Sequence, residues 1–124
     1  MGKFYYSMEH EWIKVEGESG IVGITDYAQE QLGDVVFVEV TKLNHQVDKN
    51  EEVAVIESVK AASEIYSPVS GSIVAANETL ETKPEKINSD CMGAGWIFEI
   101  RLSDLKELDG LMDWESYMSF VEGS

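Results

Sequence analysis

The sequence predicts a mainly β protein: a sandwich or flattened barrel of short antiparallel strands, trimmed by a few helices. Three observations carry this expectation. Short β-branched or alternating runs recur at 13–16, 21–25, 35–40, 53–59, 72–76 and 96–102. Turn signals separate them, among them Gly17-Glu18-Ser19-Gly20, Ser70-Gly71 and Gly95. Helical periodicity is confined to one short stretch after Thr25 and to the C-terminal end.

Taken in order, Phe4-Tyr5-Tyr6 opens the chain, and Glu9-His10-Glu11-Trp12 leads into a strand, Ile13-Lys14-Val15-Glu16. After the glycine turn, Ile21-Val22-Gly23-Ile24-Thr25 is the returning strand. A short helix follows. Asp26, with Gln29 three residues on, has the spacing of a capping box, and Leu32-Gly33 ends the helix on glycine. Val35-Val36-Phe37-Val38-Glu39-Val40 is apolar at nearly every position and reads as a strand buried on both faces. From Lys42 to Asn50 the chain is a polar loop, with Leu43 and Val47 as expected anchors. Asn77 to Gly95 has little period, and Leu80, Pro84 and Ile87 are its expected anchors. Trp96, Phe98, Ile100 and Leu102 then alternate with Ile97, Glu99 and Arg101, the cleanest strand pattern of the chain. Two short helices end it. Ser103-Asp104 caps the first, which buries Leu105 and Leu108. Asp113 caps the second, where Trp114, Tyr117, Met118 and Val121 recur at i, i+3, i+4, i+7 as a core-facing stripe.

At 124 residues, with two prolines and no linker-like stretch, the chain is expected to form one domain over residues 1–124. Its 24 acidic and 9 basic residues leave a net charge of −15. That field repels phosphate backbones and anionic lipid, so neither nucleic acid nor a membrane surface is expected as a partner. One cysteine, Cys91, allows no disulfide framework, and His10 and His45 lack partners at metal-ligand spacing. Residues 1–15 carry no leader pattern. A bacterial cytoplasm is therefore expected, or a mitochondrial matrix if a transit peptide has been removed.

The chemistry centres on Glu52 to Gly71, two strands with a lysine at the bend. Ser58-Val59-Lys60-Ala61 contains neither glycine nor asparagine, which argues against the primed hairpin turns and favours a type I connection. Such a turn carries Lys60 outward on a rigid protrusion, in the form a lysine-modifying ligase requires. A lysine at a hairpin tip is by itself ordinary, because exposed turns are polar. The surrounding residues shift the balance. Glu57-Ser58-Val59-Lys60-Ala61-Ala62-Ser63 and Pro68-Val69-Ser70-Gly71 resemble the lipoyl-attachment hairpin of the glycine cleavage system H proteins. His10-Glu11-Trp12, Gly23-Ile24-Thr25-Asp26, Ala28-Gln29 and Leu32-Gly33-Asp34 resemble that family's N-terminal half. Asn77-Glu78, Pro84, Ile87-Asn88 and Gly95-Trp96 resemble its C-terminal half. Two loops depart from the family pattern, Thr41-Lys42-Leu43-Asn44-His45 and Cys91-Met92.

The resemblance implies a lipoyl-domain-like barrel-sandwich hybrid with one short internal helix and two short C-terminal helices. It implies a carrier, not a catalyst, with lipoate in amide linkage on Lys60 and Glu57, Ser58, Val59 and Ala61 as the frame that a lipoate ligase or lipoyltransferase recognises. The lipoyl disulfide would take the aminomethyl group of glycine from glycine decarboxylase (P protein). Aminomethyltransferase (T protein) would receive it, and dihydrolipoyl dehydrogenase (L protein) would reoxidise the dithiol. Glu11, Glu64, Ser63 and Glu9 are the matching residues for a pocket that shelters the loaded arm, and a monomer is expected. Other readings stand beside this one: an H-like lipoyl carrier or lipoate relay for another complex, a biotin carrier, an unmodified interaction domain, or a Schiff-base enzyme using Lys60. Biotin carriers usually have methionine on both sides of the lysine, where Val59 and Ala61 stand here. A Schiff-base lysine needs a desolvated amine, which a tip near Glu57 and Glu64 does not favour. Lys60→Arg keeps the charge but offers no acylatable amine. Its intact mass after expression in a lipoylating host should lack the increment that the parent acquires; a lipoyl group mapped to another lysine would refute the assignment.

Overall fold

The computed structural model describes residues 2–123. Nine strands form two antiparallel sheets. They are β1 (Lys3–Tyr6), β2 (Glu11–Glu16), β3 (Ser19–Ile24), β4 (Val35–Val40), β5 (Gln46–Val47), β6 (Glu52–Ser58), β7 (Ala62–Tyr66), β8 (Gly71–Ala76) and β9 (Phe98–Leu102). The larger sheet runs β1-β2-β3-β9-β8-β5, and the smaller runs β4-β6-β7. Helix α1 (Asp26–Leu32) leads from the larger sheet to the smaller. The long segment after β8 holds two single-turn helices, α2 (Thr79–Thr82) and α3 (Lys86–Ser89), which the sequence pattern did not reveal. A 3-10 turn over Leu105–Gly110 and helix α4 (Trp114–Glu122) end the chain.

In β9 alternate residues Phe98, Ile100 and Leu102 are buried, as the period of a strand requires. Ile13, Val22, Ile73, Phe98 and Ile100 of the larger sheet meet Val38, Val53, Ala54, Ile56 and Ile65 of the smaller sheet in one core. Leu80 and Ile87 pin the single-turn helices to this core, as expected of them. A second cluster of Tyr6, Trp12 and Tyr117 lies under α4, with Tyr6 and Tyr117 stacked at 5.1 Å between ring centroids. Asp113 caps α4 by accepting the Ser116 N–H at 2.8 Å, so that start matches the sequence signal.

Several expectations change. The side chain that caps α1 is Thr25, which accepts from Ala28 N at 3.3 Å; Asp26 is the first helical residue and accepts from the Gln29 amide. Strand β4 is not buried on both faces. It is an edge strand, paired only with β6, and an irregularity between Val35 and Phe37 turns two successive side chains outward. Val36 and Phe37 are accordingly 53% and 44% exposed, while Val35 and Val38 are buried. Leu43 is exposed and does not anchor its loop; Val47 does so from β5. At the C-terminus Leu105 and Trp114 stand half out in water, leaving Leu108 and Tyr117 as the buried members of their turns.

Ile73→Ala, at a fully buried site, should cost about 2–5 kcal/mol of unfolding free energy in denaturant titrations. Val36→Thr on the exposed edge should change it by no more than about 0.5 kcal/mol. Equal losses at the two positions would contradict the edge placement of β4.

Candidate functional site

The hairpin of β6 and β7 is tied shut without glycine. Ser58 N donates to the Ala61 carbonyl at 2.8 Å. The return bond goes to a side chain: Lys60 N and Ala61 N donate to Ser58 Oγ at 3.3 and 3.1 Å. The hydroxyl thus stands in for a main-chain acceptor, the local role that serine plays in turns. Non-glycine residues with positive φ among those described are His10, Asn44 and Asn50, so the tip avoids the primed geometry, as its composition requires. The tip is also held from outside, by Val59 N donating to the Asp34 carbonyl at 3.0 Å. Val59 is 70% exposed and Lys60 is exposed beside it. Lys60 does not simply point into water, because its Cε lies within 3.2 Å of where a Cβ on Gly33 would be.

Beside the tip lies a cleft of about 340 Å³ between α1, the start of β2 and the hairpin. Its lining includes Ala61, Ala62, Ser63 and Glu64 from the hairpin, Ala28 and Leu32 from α1, and Glu9 and Glu11 from the approach to β2. All four residues predicted for an arm pocket are therefore neighbours of one space that also reaches the residue after Lys60. Its walls are largely apolar, with Ile24, Ile56 and Ile65 behind them, and its acidic members are Glu9, Glu11 and Glu64. With three glutamates set among apolar side chains, the cleft suits an apolar group that ends in a cation. A groove of similar volume, about 350 Å³, runs along the exposed edge of β4 beside α2 and contains none of the predicted site residues.

Glu11 proves to be more than a surface acid. It is 3% exposed, and both carboxylate oxygens are engaged: Ser7 Oγ donates to one and Tyr66 N to the other, each at 2.9 Å. Burial, opposed by those two hydrogen bonds and helped by the charge of Glu9, raises its pKa from 4.5 to about 7. Sequence reasoning also missed His10 and Tyr27 in the cleft wall. His10 has φ +65° and shares a 2.7 Å hydrogen bond with the Tyr117 hydroxyl, which bonds Thr25 Oγ1 at 2.6 Å. Helix α4 is thereby linked to the cleft, a connection across 107 residues that no local pattern signals. Cys91 is buried, and its thiol pKa is pushed up to about 11, mainly by burial. It is no ready nucleophile.

A lysine on a braced hairpin tip beside an acid-ended apolar cleft, in a two-sheet β fold, suits a carrier domain. Comparison with known proteins makes this specific. A model of the glycine cleavage H-protein family matches residues 4–124, and the chain belongs to that family, a carrier component of glycine cleavage and not a catalyst. It is 58% identical over 117 residues to the glycine cleavage system H protein of Beijerinckia indica, covering 94% of each chain. It is 52% identical to that of Rhodospirillum rubrum, covering 98% of this chain and 97% of the other. The crystal structure of the H protein from Mycobacterium marinum superimposes with a TM-score of 0.87 at 31% identity, covering 100% of this chain and 99% of that one.

The Glu11 carboxyl binds its proton more tightly in the folded protein than in the unfolded chain. Its contribution to stability is therefore present in full below about pH 4.5 and is lost as pH rises through about 7. Glu11→Gln, uncharged throughout, should flatten the fall in denaturation midpoint between about pH 5 and pH 8. Parallel midpoint profiles for parent and variant would contradict the buried, proton-retaining carboxyl.

Proposed function

We propose that Lys60 carries lipoate in amide linkage and that the chain serves as the mobile substrate of three enzymes: glycine decarboxylase, aminomethyltransferase and dihydrolipoyl dehydrogenase. The observation that carries the reading is Lys60 on a braced tip whose next residue, Ala61, lines the apolar, acid-ended cleft. When bound, the lipoyl group supplies the disulfide that takes up the aminomethyl group of glycine, chemistry for which the single buried Cys91 is unsuited. Every other part of the task falls to the protein.

Its residues divide that task by position. Ser58 and the Asp34 carbonyl hold the main chain of the tip, so that Lys60 Nζ is offered to a lipoate ligase or lipoyltransferase in a constant frame. Glu57, Val59 and Ala61 complete the frame, with Val59 as its exposed apolar contact. Ala28, Leu32, Ile56 and Ala61 offer apolar walls to a hydrocarbon arm and exclude water from its length. Glu64 is exposed and accepts a cation as a solvated carboxylate, whereas Glu11 contributes from a buried position. Ser63 and Glu9 flank them in the same cleft. A charge-assisted hydrogen bond of this kind is worth roughly 1.5–3 kcal/mol when sheltered and less when wet. That suffices to hold a loaded arm and still release it. The charge of −15 suits brief visits to basic patches on successive enzymes. One domain over residues 1–124, acting as a monomer in the bacterial cytoplasm, completes the proposal. Among the described residues, no helix is long and apolar enough to cross a membrane.

The test is reconstitution. Lipoylated protein should support glycine-dependent bicarbonate exchange by glycine decarboxylase, and Lys60→Arg should not; equal support by the variant would overturn the reading. After loading with glycine, Glu64→Gln should release formaldehyde faster than the parent when aminomethyltransferase is absent, and equal rates would remove Glu64 from the pocket. Raising ionic strength from about 0.01 to 0.5 M should raise the KM of the decarboxylase for this protein as screening shortens. A flat KM would remove the steering argument.

A further inference from the structure

Asn88 lies on α3, 55 positions from Gly33, yet its carboxamide is committed to the loop that braces the lysine tip. Asn88 Nδ2 donates to the Gly33 carbonyl at 2.8 Å and to Gln29 Oε1 at 3.0 Å. Its Oδ1 accepts from Val35 N at 2.8 Å. Between these two clamped groups is the Asp34 carbonyl, the acceptor for Val59 N at the hairpin tip. Two successive peptide units are thus fixed: Gly33-Asp34 by Asn88 at its carbonyl, and Asp34-Val35 by Asn88 at its N–H and by the hairpin at its carbonyl.

Gly33 supplies the second half of the arrangement. Its φ of +87° is a conformation that side-chain-bearing residues rarely adopt. A Cβ there would lie 3.2, 3.7 and 3.9 Å from Cε, Cδ and Cγ of Lys60. Three methylenes of the lysine therefore run across the bare face of this glycine. We infer that Asn88 and Gly33 are positioning residues for Lys60: the clamped Gly33-Asp34-Val35 segment holds the tip through Val59 and supports the lysine stem from below, presenting Nζ for acylation. The inference rests on the proposal that Lys60 is the acylated residue.

A purely structural Asn88 would affect overall stability and nothing else. A positioning Asn88 affects the fraction of molecules whose tip is ready to be bound, which enters the apparent affinity for the modifying enzyme and not the chemical step. Asn88→Asp keeps the acceptor for Val35 N but places a carboxylate oxygen against the Gly33 carbonyl. Gly33→Ala acts on the same segment without touching the Asn88 carboxamide, by straining the backbone at φ +87° and by setting a methyl group against the Lys60 stem.

The experiment is to measure lipoyl transfer to the unlipoylated protein by a lipoate ligase, as separate KM and kcat, alongside amide hydrogen exchange by NMR. Asn88→Asp should raise KM about fivefold to tenfold with kcat within about twofold, and should speed exchange at the Val59 amide by a similar factor. The Ile73 and Ile100 amides in the core should keep the parent's exchange rates. Gly33→Ala should raise KM in the same way. Unchanged KM and Val59 exchange in Asn88→Asp would overturn the inference. If that variant instead speeds core exchange, Gly33→Ala decides, and an unchanged KM there overturns it. Peptide mapping of the parent separates the two claims: a lipoyl group elsewhere than Lys60 defeats the functional reading, whereas parent-like kinetics with Lys60 modified defeat only the positioning.

Discussion

Glu11 ties the two sheets together through its buried carboxyl. It belongs to β2 of the larger sheet, and it accepts the main-chain N–H of Tyr66 at the end of β7 in the smaller one. A buried carboxyl is costly to ionise; two hydrogen bonds offset part of that cost, and the remainder appears as the raised pKa. What the fold gains is a fixed relation between the approach to β2 and the outgoing hairpin strand. The cleft is the space between those segments, so its width depends on this contact. Replacing Glu11 with a hydrophobic residue would leave Tyr66 N without its acceptor and the cleft without one of its acids.

The hairpin itself is restrained from two sides. Ser58 closes the turn from within, and the loop after α1 holds it from without through Asp34. Neither restraint uses a salt bridge. The charged side chains around the tip stay in water, where they would contribute little to rigidity. Main-chain hydrogen bonds suit the task better, because they fix backbone position without committing the side chain that must be modified. Lys60 keeps its freedom at Nζ while the Cα that carries it is held.

The long segment between β8 and β9 takes on a different meaning in this light. Loops of that length in small domains are commonly functional. This one carries Asn88, whose carboxamide reaches the loop under the hairpin, and Cys91, whose carbonyl accepts from Trp12 Nε1 at 3.0 Å. It connects the aromatic cluster under α4 with the lysine side of the molecule. The hydrogen-bonded chain of His10, Tyr117 and Thr25 does the same from the C-terminal helix. Elements that look like decoration in sequence order are braces in space.

The sequence by itself determined the β class, most strand positions, the glycine that ends α1, the cap of α4 and the lysine at the bend. Each is a local matter: alternation at period two, a capping side chain, a turn whose composition forbids positive φ. The continuous apolar run of β4 suggested burial on both faces and was misleading, because an edge position and an irregular register are properties of strand pairing, which the run of valines does not encode. The four pocket residues were nominated by resemblance. Only the folding of β2 against β7 put Glu9, Glu11, Ser63 and Glu64 around one space, and only tertiary packing made Glu11 buried and left Glu64 exposed. His10 and Asn88 stood in motifs of the resemblance, but their contacts stayed hidden for the same reason. Their hydrogen bonds span 107 and 55 residues, and a partner that distant is chosen by tertiary packing, after local propensity has had its say.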